Sequence, residues 1–100
     1  MENGVVAYVI IDLEVHDEVG FASYREAVPA LIKKHGGEYL VRGGQFEVID
    51  GDCQPHRLVV LRFPDRAAVH AFFADPGYAE LEELRRRTSK TVIIAVDGID

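Results

Sequence analysis

Arg42, Glu47 and Arg57 fall on or beside runs of β-forming residues. A charge among apolar strand residues needs a partner. Two readings stay open for these three. An arginine–glutamate pair can be purely structural, whereas an arginine left over can grip a carboxylate or enolate with paired N–H groups. His35 is a candidate acid or base, because an imidazole exchanges protons near neutral pH. It also directly precedes Gly36, where the dipole of an ending helix alone accounts for a histidine. Tyr24 and Tyr78 bring hydroxyls that a pocket between helices and sheet would offer to a ligand. Asp75 suits a helix cap as well as a catalytic carboxylate, and Arg85 lies one turn beyond Leu81, at the edge of an apolar stripe. His35, Arg42 and Tyr78 are therefore the catalytic candidates. Tyr24, Glu47, Arg57, Asp75 and Arg85 are the ligand-binding candidates.

Other groups are weaker. Asp12, Glu14 and His16 alternate, so a regular strand would put them on one face. That set can attract a metal, and it is equally what a strand end emerging into water looks like, so no metal site is assigned. His56 and His70 form no recognised ligand spacing with the others. Cys53 sits beside Asp52, a poor setting for a nucleophile. No phosphate loop, dinucleotide fingerprint or nucleophile–base motif is present, and no cofactor is implied.

Composition narrows the classes. One hundred residues make a single domain, 1–100, with a modest core that an oligomer interface could supplement. The net charge of −6 argues against nucleic acid, which needs a cationic surface. The run Arg85-Arg86-Arg87 has another use, since Arg86 and Arg87 can pair with Glu82 and Glu83 at i, i+4. No apolar run is long enough to span a bilayer. Met1-Glu2-Asn3-Gly4 has no basic region before an apolar stretch, so a cytoplasmic protein without a leader is expected. A single cysteine rules out an internal disulfide.

The candidates need elements to hold them. Val5-Val6-Ala7-Tyr8-Val9-Ile10-Ile11 predicts a strand. Asp17 caps a helix with Phe21, Tyr24, Val28, Leu31 and Ile32 on its apolar face. Pro29 should kink it, and Gly36 or Gly37 ends it. Glu38 to Arg42 predicts a second strand. Gly43-Gly44 reads either as a hairpin turn or as a bulge in one long bent strand continuing through Gln45-Phe46-Glu47-Val48-Ile49. A split β-α-β unit needs one chain reversal before Leu58-Val59-Val60-Leu61-Arg62-Phe63, not two, which favours the bent strand. Asp65 and then Asp75-Pro76 start a second helical region in two steps, and Thr91 to Val96 is the last strand. The order is β-α-β-β-α-β, an α+β ferredoxin-like plait whose antiparallel sheet carries helices on one face. Its strands are apolar on both faces rather than alternating, so something apolar must cover the other face. The sheet of a second copy does this most simply, as a homodimer through facing sheets.

The stretch His35-Gly36-Gly37-x-Tyr39-Leu40-x-Arg42-Gly43-Gly44 resembles the central motif of the domain-of-unknown-function 1330 family. Gly51, Pro55-x-Arg57, Val59-Val60 and Phe63-Pro64 match its next segment. Phe73-x-Asp75-Pro76-x-Tyr78 matches its second helical motif, and Arg85 fits the position that follows. The resemblance covers nearly the whole chain and implies a dimeric α/β barrel. Relatives in that superfamily include cofactor-independent monooxygenases, polyketide cyclases, lactone isomerases, dehalogenases and ligand-sensing regulator domains, so fold alone does not choose a function. The expectation is a protein that handles a small oxygenated or carboxylated molecule, as a cofactor-independent enzyme or as a non-catalytic binder. A third reading makes the arginine–glutamate set ion pairs of a structural dimer.

Overall fold

A computed structural model describes residues 5–99; the expectation drawn from Met1 to Gly4 lies outside the described residues. The elements run β1 (Ala7–Val15), α1 (Glu18–Lys34), β2 (Glu38–Arg42), β3 (Leu58–Phe63), α2 (Arg66–Ala74), a 3-10 turn (Pro76–Tyr78), α3 (Ala79–Thr88) and β4 (Ser89–Asp97). The sheet order is β2-β3-β1-β4, with every neighbouring pair antiparallel. This is the ferredoxin-like plait read from the sequence. Its core lies between the sheet and the helices. Phe21, Val28 and Ile32 of α1 and Val69 and Phe72 of α2 pack with Val9, Leu61 and Phe63 of the strands.

Local chemistry sets the boundaries. The Asp17 carboxylate accepts the Gly20 N–H at 3.0 Å, and Asp65 accepts the Ala68 N–H at 2.8 Å. Each cap satisfies a donor that the first helical turn leaves free, worth about 1 kcal/mol. At the end of α1, Gly36 adopts φ +80°. Its N–H donates to the Lys33 carbonyl at 3.0 Å, and the Gly37 N–H donates to the Ile32 carbonyl at 2.9 Å. This paired closure needs a left-handed residue, which glycine supplies without a Cβ penalty. Pro29 lies inside α1, which continues unbroken past it.

The second glycine pair departs from expectation. β2 stops at Arg42, and residues 45–49 carry no strand, so neither the hairpin nor the long bent strand forms. Gly43 turns to φ +74° and makes one last ladder bond, its N–H to the Leu58 carbonyl at 2.8 Å. Beyond it the chain crosses to β3 as an exposed arm. The irregularity in the ladder lies earlier, between Tyr39 and Val41. The single reversal between β2 and β3 holds, because the two pair antiparallel.

The outer face of the sheet is apolar and bare. Ile10 of β1 and Val92, Ile94 and Val96 of β4 point away from the helices, with Val92 59% and Ile94 54% exposed. The molecule measures 42 × 38 × 17 Å along its principal axes, the thinness of one sheet under one helical layer.

Two glycine variants test this reading of the backbone. A Cβ on Gly37 would lie 2.7 Å from Ile32 and from the Phe63 ring, whereas one on Gly44 would meet nothing within 4 Å. Gly37→Ala should therefore cost about 1–3 kcal/mol by overpacking and Gly44→Ala no more than about 0.5 kcal/mol, compared by urea unfolding midpoints. Equal midpoints for the two variants would contradict it.

Candidate functional site

A cavity of about 80 Å³ opens between the helical layer and the inner face of the sheet. Its walls are apolar and aromatic: Ile11, Leu13, Val59 and Leu61 from the strands, Phe21 and Val28 from α1, Phe72 and Phe73 from α2. Arg25, Arg42, Arg57 and Arg85 also line it, together with Tyr24, Tyr39 and Tyr78, and among the described residues no aspartate, glutamate or histidine does.

The buried end is a chain of three groups from three elements. Tyr24 of α1 and Tyr78 of the 3-10 turn place their hydroxyl oxygens 2.8 Å apart, and the Arg85 Nε–H of α3 donates to the Tyr78 oxygen at 3.2 Å. Tyr78 is 1% and Arg85 8% exposed. Rigid packing holds this end in place, since the Tyr78 ring lies 4.9 Å from Phe72 and 5.3 Å from Phe73, within the range of favourable aromatic pairs. Burial drives the Tyr24 pKa well above the ordinary tyrosine value, reinforced by Tyr78 and partly offset by the Arg85 charge. The Tyr24 hydroxyl thus keeps its proton and acts as a hydrogen-bonding group rather than as a base. Two hydroxyl hydrogens serve a single Tyr–Tyr bond, so one remains free whichever tyrosine donates. Among the described residues Arg85 donates only through Nε and lies within 4 Å of no carboxylate. The buried end is thus made of donors, the complement of an oxyanion or carbonyl.

The exposed end is set by the irregularity in β2. Tyr39 and Arg42 are three residues apart, and strict alternation would put them on opposite faces. The register shift between Tyr39 and Val41 turns both inward, Tyr39 opposite Leu61 and Arg42 opposite Val59. The Arg42 guanidinium stacks 4.4 Å from the centre of the Tyr39 ring. Burial raises the Tyr39 pKa, with Arg42 working against it. Arg57 directly precedes β3 and lies across Gly43, where a Cβ would come 2.8 Å from its Nε.

Five of the candidates from the sequence, Tyr24, Arg42, Arg57, Tyr78 and Arg85, meet at this cavity. Three do not. The His35 Nε2–H donates to Asp75 Oδ2 at 2.7 Å, and the Lys34 ammonium donates to the same oxygen at 2.9 Å. Asp75 also accepts the Gly77 N–H at 2.7 Å. His35 and Asp75 thus tie the end of α1 to the start of the 3-10 turn, away from the lining. Glu47 is exposed on the arm, and among the described residues no ion pair joins it to Arg42 or Arg57. The lining adds Tyr39 and Arg25, which the sequence reading did not single out. Tyr39 was hidden by the unforeseen register shift. Arg25 directly follows Tyr24, so helical spacing gave it no distinct signal.

Other expectations resolve as structure. Arg86 and Arg87 reach Glu82 and Glu83 at 2.8 and 3.9 Å, the i, i+4 pairs expected. Asp12 accepts the backbone N–H groups of His56 and Arg57 at 2.7 and 3.1 Å and so anchors the end of the arm. Burial raises its pKa, and these bonds outweigh that to lower it. Among the described residues no group of three His, Cys, Asp or Glu side chains could hold a metal ion, and no helix is long and apolar enough to cross a membrane.

The fold and cavity define a class: a ferredoxin-like α+β plait with an arginine- and tyrosine-lined cavity beneath its helices. Residues 6–99 match the family described as Domain of unknown function (DUF1330), and the chain belongs to that family. No curated protein matches it significantly. Among solved structures, the RPA0582 protein of unknown function from Rhodopseudomonas palustris is similar with a TM-score of 0.78 and 17% identity, over 98% of this chain and 85% of that one. SnoaB, a cofactor-independent oxygenase from Streptomyces nogalater, is similar with a TM-score of 0.61 and 18% identity, over 98% and 96%. A dimeric ferredoxin-like protein of unknown function from Jannaschia sp. CCS1 gives 0.63 and 13%, over 93% and 99%. At these identities the likeness is one of fold.

The clamp on Asp75 has a pH signature. The Lys34 bond, then the His35 and Gly77 bonds, hold the Asp75 carboxyl well below the usual carboxylate range. A depressed folded-state pKa contributes stability above the unfolded value, roughly 4, and loses it as pH falls toward the folded value. Asp75→Asn should be less stable than the parent at neutral pH, and the two denaturant midpoints should converge between about pH 5 and pH 2. A gap that stays constant over that range would contradict the clamp.

Proposed function

We propose that this chain handles a small oxygenated or carboxylated molecule in the cavity, as a cofactor-independent enzyme of the isomerase, cyclase or monooxygenase kind. The observation that carries the reading is the buried Arg85, without a carboxylate among the described residues and joined through Tyr78 to Tyr24. In this reading the Arg85 guanidinium and the free tyrosine hydroxyl hold an oxygen as negative charge develops on it, and a tyrosine supplies or recovers the proton. Arg42 and Arg57 admit and orient the ligand. The cofactor-independent oxygenase among the fold relatives is in keeping with chemistry carried by the substrate itself. His35 and Asp75, absent from the lining, act as positioning residues that hold the 3-10 turn bearing Tyr78.

One observation favours a second reading, a non-catalytic binder of a small acid. The lining holds no histidine and no carboxylate, so the cavity offers no ordinary base to remove a proton from carbon.

The protein works in this proposal as a cytoplasmic single domain, 1–100, paired through the outer faces of two sheets. The bare apolar face of Ile10, Val92, Ile94 and Val96 supports the pairing, since such patches mark contact surfaces. A dimeric protein of the same fold is in keeping with it.

Two experiments test the proposal. Mass spectrometry of small molecules released from purified protein on denaturation should yield an anionic compound. Tyr78→Phe and Arg85→Met should each bind it about 10- to 100-fold more weakly, the effect of deleting a buried donor to a charged group. Conversion of the compound on incubation supports the enzyme, its recovery unchanged supports the binder, and unaltered affinity in both variants removes the site from either. Ile94→Glu should turn a dimer into a monomer by light scattering at micromolar concentration. A parent protein already monomeric there would overturn the pairing.

A further inference from the structure

We infer that the cavity takes a small dianion: a flat, largely apolar body with two acidic groups, one held by Arg85 and the tyrosine hydroxyls, the other by Arg42 and Arg57. The inference rests on the anion-binding reading above and adds the number and placement of the charges.

Charges without partners line the cavity. Four arginines line the cavity and no carboxylate does. Arg25 is answered from outside the lining by Glu18, 3.3 Å away. Arg42 lies on the Tyr39 ring, a contact that steadies the guanidinium without cancelling its charge. Arg57 and Arg85 have no carboxylate within 4 Å among the described residues. Like charges around a partly enclosed, apolar space repel more strongly than in water. A monoanion at Arg85 would leave Arg42 and Arg57 unanswered.

Geometry sorts the arginines into two stations. Arg85 is buried with the tyrosine pair. Arg42 ends β2, opposite Val59, and Arg57 directly precedes β3 at the same end of the sheet. Two local features place these side chains. The register shift in β2 turns Arg42 inward, and Gly43, at φ +74° and without a side chain, leaves the space that the Arg57 Nε occupies. Two guanidinium groups side by side offer paired N–H donors to one carboxylate. The same cavity is lined by Phe21, Tyr39, Phe72 and Phe73, which suit an aromatic or other flat body. The space is small, about 80 Å³, and the exposed Arg42 marks where it opens to solvent, so part of the body lies at the mouth. Dicarboxylates and carboxylates bearing an ionised enol or phenol share this chemistry.

Calorimetric titration of the full chain at low salt, with benzoate and the three benzenedicarboxylates, tests it. At least one dicarboxylate should bind about tenfold or more tightly than benzoate, the scale of one added charge-assisted contact. The double variant Arg42→Ala/Arg57→Ala should lose this preference, binding the dicarboxylate and benzoate within about threefold of each other, and Arg85→Met should weaken both ligands. Equal binding of all four acids to the parent protein, or a preference that survives the double variant, would overturn the dianion while leaving a one-anion site intact. Binding of none of the four would overturn the anion-binding reading as well.

Discussion

A guanidinium buried without a carboxylate is the constraint around which the rest of this molecule is arranged. Removing a charge from water is costly unless hydrogen bonds and an opposite charge answer it. Among the described residues Arg85 has only the Tyr78 oxygen, and Tyr78 has Tyr24. The three come from α3, the 3-10 turn and α1, so the mutual placement of those elements is fixed by one polar chain set in an aromatic cluster. The Asp75 clamp enters the same chain from behind. By accepting from Lys34, His35 and the Gly77 N–H, it ties the end of α1 to the turn that carries Tyr78. The residues that looked most chemical in the sequence thus divide between making the polar end and holding it in place.

The sheet contributes in a different way. Its inner face supplies the apolar floor of the cavity, and the end of β2 and the approach to β3 supply the arginines of the exposed end. A single irregularity decides that geometry, because a strand without it would send either Tyr39 or Arg42 to the outer face. The outer face is a separate matter. With one helical layer and a thickness of 17 Å, the chain covers only one side of its sheet. A facing copy, as proposed, would bury the other side without touching the cavity, so pairing and ligand binding act through opposite faces of the same four strands.

Much of the fold was legible because it rests on local signals. Asp17, Asp65 and Asp75-Pro76 start helices by accepting or forgoing specific N–H groups, and Gly36 ends one by its φ. Apolar runs marked four strands in the order found. The second glycine pair misled because it resembles both a hairpin turn and a bulge. Its actual role, leaving the sheet after one last bond to Leu58, depends on a partner strand fifteen residues away. The site was less legible for the same reason. Tyr24 and Tyr78 are far apart in the chain, and nothing local says that their hydroxyls touch. His35 and Asp75 each carry a plausible chemical role, and nothing local says that they meet one another. Glu47 needed a strand that does not form.

The central claim is that Arg85 is buried to meet an anion, and side-chain NMR tests it most directly. In a titration with benzoate or a benzenedicarboxylate, followed by ¹H–¹⁵N spectra of the arginine Nε–H groups, the Arg85 resonance should shift with ligand and saturate. Tyr78→Phe, which removes its hydrogen-bond partner, should alter that resonance before any ligand is added. An Arg85 signal that stays still while only exposed arginines respond would contradict the account.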